Sequence, residues 1–153
     1  MVKQQDGEAA PVIHTAGYEG QTIDEFLARL HGSGIELVAD VRELPLSRKR
    51  GFSKTALAAA LAREGIDYLH VRALGCPKAI RDRYRRDHDW ARYTDAFLDH
   101  LGRHEEAVTA LAREAAGRRT VCLCFEADPA RCHRTYVANA VAGRLGGTVD
   151  PIP

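Results

Sequence analysis

Two short runs, Ile35–Val41 and Thr120–Phe125, are apolar at nearly every position. At that length they suit strands, and a strand without polar alternation needs both of its faces covered. A mostly parallel sheet with helices on each side meets that need, and the rest of the chain supplies the parts. Pro11–Ala16 reads as a first strand, Ile66–Val71 as a third, and Thr148-Val149 as a short last one. Between them lie stretches with helical spacing. Thr22-Ile23-Asp24-Glu25 is a capping box that opens a helix to about His31, with Ile23, Phe26, Leu27 and Leu30 on one face. Ser53 stands before a helix over Lys54–Glu64, Asp89 opens one carrying Trp90, Tyr93, Phe97 and Leu101, and Glu105–Ala116 forms another. Asp128-Pro129 has the N-cap and N1 residues of a last helix reaching about Arg144. Arg72–Asp87 lacks an apolar period and reads as a loop with a short helix near Ala79–Arg83.

Strands and helices in strict succession imply an α/β fold. We expect one Rossmann-like, three-layer domain over residues 12–153, with a mostly parallel sheet of four or five strands and helices on both faces; residues 1–11 read as a flexible polar tail. A chain of 153 residues suffices for one such core without disulfide or metal staples. No apolar stretch has the length of a membrane span or a signal-peptide core, so the expected setting is the cytoplasm, with the four cysteines as thiols.

The net charge is +1, but its distribution is uneven. Residues 42–92 hold thirteen Lys/Arg against six Asp/Glu, densest at Arg48-Lys49-Arg50 and at Arg81, Arg83, Arg85 and Arg86. Such a block suits a solvated face, an anion site or a nucleic-acid surface. The expected partner is therefore an anionic small molecule or nucleic acid, and not a membrane.

Unusual residues follow each strand: Gly17-Tyr18 after the first, Arg42, Arg48, Ser53 and Lys54 after the second, Gly75-Cys76 after the third, and Glu126 with Cys132-His133-Arg134 after the fourth. Parallel strands place all those segments on one edge, where open α/β sheets bind ligands. Arg42, Arg48, Ser53, Lys54 and Arg134 are the candidate anion binders. Tyr18 and Glu126 are candidates to position substrate or move protons. Cys132 with His133, or Cys124, is the candidate nucleophile, since a helix N-terminus flanked by Arg131 and Arg134 favours a thiolate. The competing reading of Cys132 is a small buried residue packed on the sheet. Asp40, in an apolar strand, needs a partner, and Arg42 is the natural one. Cys122 and Cys124 share a strand face, but Cys-x-Cys is poor spacing for structural zinc, so neither a metal nor another cofactor is expected.

Thr15-Ala16-Gly17-Tyr18-Glu19, Asp40-Val41-Arg42, the stretch from Pro45 through Ser47-Arg48 to Gly51-Phe52-Ser53, Leu74-Gly75, and Cys124-x-Glu126 with Cys132-His133-Arg134 resemble the bacterial and archaeal family called domain of unknown function 488. The likeness runs from about residue 12 to residue 145 and implies a compact α/β fold, with Gly17 and Gly75 as structural positions and no defined reaction. Ala16 stands where that family usually has Ile, and Cys76 where it often has a second glycine, which bears on the loop's backbone. A narrower likeness, the Asp-Val-Arg strand end and a strand ending in Cys before a helix with an early Arg, is to rhodanese sulfurtransferases. It implies a thiol enzyme with Cys124 at the reactive position. Glu126 and Asp128 would repel an anion there.

Overall fold

In the computed structural model, which describes residues 10–153, five parallel strands form one sheet in the order β3–β2–β4–β1–β5. The strands are β1 (Val12–Gly17), β2 (Leu37–Asp40), β3 (Asp67–His70), β4 (Thr120–Cys124) and β5 (Thr148–Pro151). Most of the expected N-terminal tail, residues 1–9, lies outside the described residues. The two continuous apolar runs became the adjacent strands β2 and β4, paired Leu37 with Thr120 through Asp40 with Leu123. β4 is the middle strand of the sheet, and all five of its residues are buried.

Helices α1 (Ile23–Gly32) and α2 (Lys54–Arg63) cover one face, where Phe26, Leu30, Leu57 and Leu61 pack against Val38, Val121 and Leu123. Each such side chain contributes about 1.5–3 kcal/mol relative to exposure. The other face carries α4 (Trp90–Gly102), α5 (Glu105–Ala115) and α6 (Arg134–Leu145), with Phe97, Leu111, Val137 and Val141 packed among Ile13, Ala39 and Cys122. The capping box of α1 forms as expected, with Thr22 Oγ1 accepting from Glu25 N and Glu25 Oε1 accepting from Thr22 N.

Two elements differ from the sequence expectation. The stretch taken for a loop contains a full helix, α3 (Lys78–Asp87), after a short 3-10 turn over Arg72–Leu74. None of its residues is fully buried, so no apolar period marks it. It draws on the intrahelical pairs Lys78–Asp82 and Arg83–Asp87, and on Ile80 and Tyr84 resting against the core. The last helix also begins late. Asp128 caps only a 3-10 turn, Pro129–Arg131, and α6 starts at Arg134. Cys132 therefore sits in extended backbone between the two (φ −141°, ψ 140°), and not in the first turn of a continuous helix.

The directions in which the chain leaves the strands fix where a site can form. From β1 and β2 it passes to the α1–α2 face. From β4, which lies between them, it passes to the opposite face. Splitting of neighbouring loops to opposite faces opens a crevice at the carboxyl ends of the strands, here on both flanks of β4.

Candidate functional site

The end of β2 holds the first group of expected residues. Asp40 is fully buried and accepts from Arg42 N, Nε and Nη2 at 3.2, 2.8 and 2.7 Å, and from Tyr68 Oη. Arg42 also donates through Nη1 to Tyr18 Oη and to the Phe52 carbonyl. Burial works against the Arg42 cation, and the Asp40 carboxylate outweighs it and holds the guanidinium charged. Burial and the same carboxylate push the Tyr68 hydroxyl up. Tyr18 is itself buried, with its ring stacked 4.2 Å from that of Phe52. The Asp40–Arg42 pair expected from sequence is thus formed, and most of Arg42's donors are committed inside the protein.

The end of β4 holds the second group. Cys124 and Cys132 both place Sγ against Glu126 Oε2, at 3.3 and 3.2 Å. The Nδ1 of His133 lies 3.7 Å from Cys124 Sγ and 3.9 Å from Cys132 Sγ. Its Nε2 lies 2.6 Å from the Val41 carbonyl, which only accepts, so Nε2 carries the proton and Nδ1 faces the sulfurs. Burial opposes the His133 cation, yet the contacts with Cys132 and the Val41 carbonyl outweigh it and raise its pKa. Burial pushes the Cys132 thiol well up, contrary to the thiolate expected from a helix N-terminus. The physical reason is the break before α6: Cys132 lies outside the helix and is 1% exposed.

Backbone contacts hold this cluster in place. A Cβ on Gly17 would lie 1.7 Å from the Glu126 carbonyl oxygen, so only glycine lets the β4 loop pass over the end of β1. Arg134, 1% exposed, donates through Nη1 to the Glu126 carbonyl and through Nη2 to that of Ala127. Gly75 has an equivalent role at the β2 loop, where a Cβ would lie 2.3 Å from Glu43 N. Cys76 beside it keeps an ordinary φ, since His88 is the only non-glycine residue with positive φ among the described residues.

A cleft of about 490 Å³ opens above both groups. Tyr18, Arg42, Cys124, Glu126 and His133 of the expected site residues line it. Arg48, Ser53 and Lys54 do not. Ser53 Oγ closes the Ser47–Ser53 loop, donating to the Ser47 carbonyl and accepting from Ser47 N, and leaves α2 without a side-chain cap. Arg48 and Lys54 are exposed. Next to Arg48, Lys49 Nζ donates to the Gln21 carbonyl beside a separate open cleft.

The cationic rim of the main cleft is formed by Arg81, Arg85 and Arg131, none of them among the expected anion binders. Arg81 pairs with Glu43 at 3.0 Å, and the Arg131 guanidinium lies 5.5 Å from the Trp90 ring centroid. Tyr84, Trp90 and Tyr93 form an aromatic wall, with Trp90 and Tyr93 stacked at 4.4 Å. The signal was present in the dense run Arg81–Arg86. Recognised as a helix, that run places Arg81, Tyr84 and Arg85 at i, i+3 and i+4 on one face.

Among the described residues, no helix is long and apolar enough to cross a membrane. No curated protein and no solved structure matches the chain. Residues 22–141, most of its length, match the family model described as domain of unknown function DUF488, and the chain belongs to that family.

Proposed function

We propose that the protein binds an anionic, phosphate-type small molecule in the cleft at the carboxyl edge of the sheet and acts on it there. One observation carries this reading: Arg81, Arg85 and Arg131 share a single cavity with an aromatic wall and with Cys124, Glu126 and His133. The cavity's volume is in the usual range for small-molecule sites. Guanidinium forks suit the oxygens of a phosphate or carboxylate, and Arg131, held over Trp90, is pre-positioned for one. Trp90, Tyr93 and Phe125 offer flat apolar surface to a planar portion of the same ligand. Beneath lie groups able to carry a proton or hold a reacting atom. Tyr18 and Arg42 act in this scheme as rigid wall, because their polar atoms are engaged with each other and with Asp40.

The other two readings have less support. A nucleic-acid surface on the basic block would draw on α3, where Asp82 and Asp87 partner Lys78 and Arg83. A rhodanese-like sulfurtransferase would need donors around Cys124 able to cradle an anion, and the Glu126 carboxylate faces that sulfur instead.

The test is thermal stabilisation by adenosine monophosphate, a probe with both a planar group and a phosphate, compared with adenosine and inorganic phosphate alone. The expected result is stabilisation by the monophosphate that exceeds either part and is lost in Arg131→Ala and Arg85→Ala. No stabilisation of the native protein by the monophosphate or by phosphate would overturn the reading.

A further inference from the structure

The cluster at the end of β4 has the composition and spacing of a metal centre, and we propose that Cys124 Sγ, Cys132 Sγ and His133 Nδ1 bind a zinc-type divalent cation, with Glu126 Oε2 as the fourth ligand on the cleft side. The three ligand atoms from Cys124, Cys132 and His133 lie within 4.8 Å of one another, and all three residues are buried. In a tetrahedral zinc site, bonds of about 2.3 Å to sulfur and about 2.0–2.1 Å to nitrogen or oxygen set sulfur–nitrogen and sulfur–oxygen separations of about 3.5–3.6 Å. The observed separations are 3.7 and 3.9 Å from the sulfurs to His133 Nδ1, and 3.3 and 3.2 Å from the sulfurs to Glu126 Oε2. The sulfur–nitrogen separations need shifts of only a few tenths of an ångström, whereas the Glu126 carboxylate, which touches both sulfurs but lies outside the 4.8 Å group, must swing toward His133 to close the polyhedron.

Two further observations point the same way. The bond from His133 Nε2–H to the Val41 carbonyl fixes the tautomer that leaves Nδ1 free to ligate, the usual second partner of a metal-bound histidine. Arg134 is buried, forms no ion pair among the described residues and leaves its Nε without a partner. It holds the carbonyl of Glu126, one of the ligands. Two thiolates, one carboxylate and a divalent cation sum to one negative charge, the same as the cluster with both thiols protonated, so binding keeps the charge that faces this buried guanidinium unchanged.

The Cys-x-Cys spacing of Cys122 and Cys124 argued against a metal in the sequence. The structure assigns the second thiolate to Cys132, and Cys122 points into the core instead. On binding, the two S–H bonds break, two S–metal bonds form, and two protons leave to solvent. Glu126 and His133 line the cleft, so the fourth position faces the ligand space, as in centres that keep one exchangeable site. The metal site stands on its own geometry and does not depend on what the cleft binds.

Reduced, chelator-stripped protein is titrated with Co²⁺ and then Zn²⁺ with no other ligand present. One Co²⁺ per chain should bind with thiolate-to-cobalt charge transfer and the intense visible bands of a tetrahedral site, and Zn²⁺ should displace it. Two protons should be released per Zn²⁺. Cys132→Ser and Cys124→Ser should lose the charge-transfer band, while Cys122→Ser and Cys76→Ser keep it. Proton release is measured on the native chain, so the proposal remains falsifiable if a serine variant fails to fold. Cobalt bound without charge transfer, no proton release, or equal loss of the band in Cys122→Ser would overturn it. Failure of the monophosphate assay alone leaves these readouts untouched.

Discussion

The ends of β2 and β4 are both rich in buried polar atoms, but they are organised differently. At β2, each charge meets its opposite: the Asp40 carboxylate accepts from the Arg42 guanidinium and backbone and from Tyr68. At β4, the Cys124 and Cys132 thiols both donate to Glu126 Oε2 and flank His133 Nδ1. Buried polarity alone therefore does not mark a functional site. A matched ion pair braces the fold, whereas two thiols that donate to one carboxylate beside an imidazole nitrogen can exchange their protons for a cation.

Breaking the matched set should have the largest effect. Arg42→Ala strands a fully buried carboxylate and should cost about 3–5 kcal/mol in urea denaturation. Asp40→Leu combined with Arg42→Met should recover a large part of that loss. If Arg42→Ala unfolds at the native urea midpoint, the β2 end is not a brace. Next comes Gly17→Ala, which forces the Glu126 carbonyl away from β1. Overpacking of this kind costs about 1–3 kcal/mol. Because the same carbonyl carries the β4 loop, the variant should also weaken Co²⁺ binding, whereas Arg42→Ala should leave the cobalt spectrum unchanged wherever the chain is folded. Equal cobalt spectra in native and Gly17→Ala protein would show that the close approach of β1 to the Glu126 carbonyl does not position the β4 cluster.

A third effect is pH-dependent and lies between the two ends, on the wall of the cleft they share. Burial pushes the Cys76 thiol up to about 12 from an ordinary value of 9.0. A raised folded-state pKa contributes stability that is complete below the unfolded value and is lost as pH climbs through the folded one. Stability should therefore decline between pH 9 and pH 12 by up to about 1.4 kcal/mol per unit from this thiol, and Cys76→Ala should flatten the slope. An unchanged slope in Cys76→Ala would assign the decline to other groups. The smallest expected effect is that of Arg81→Ala. Its pair with Glu43 is partly exposed and should be worth about 0.2–1 kcal/mol. Its loss should be visible chiefly as weaker stabilisation by the monophosphate.

The parallel sheet was legible because burial of β2 and β4 on both faces writes itself into sequence as an unbroken apolar run. The helices with one apolar stripe, α1 and α4, were legible for the same reason. Helix α3 was not, since it lies on the surface and is supported by charge pairs instead of a stripe. The start of α6 was misplaced because Asp128-Pro129 is a sound opening for either a 3-10 turn or an α-helix, and only the packing of Cys132 into the interior separates them. The location of the site at the sheet's carboxyl edge followed from strand order. Its cationic members did not, because a count of arginines cannot tell a guanidinium whose donors are consumed, such as Arg42, from one lying over an open cleft, such as Arg131.

The position of β4 has a consequence for the order in which the candidate site comes apart on heating. As the strand with hydrogen-bonded neighbours on both sides and no exposed residue, it belongs to the part whose amide protons exchange only when the whole chain opens. Cys124 is its last residue, so warming should fray α3 and the surface loops well before it disturbs the sulfur. Deuterium uptake at Leu123 and Cys124 should thus lag that of Lys78–Asp87 and rise only at the global melting transition, so Arg81 and Arg85 on α3 should leave the rim of the cleft at temperatures where Cys124 is still held in the sheet.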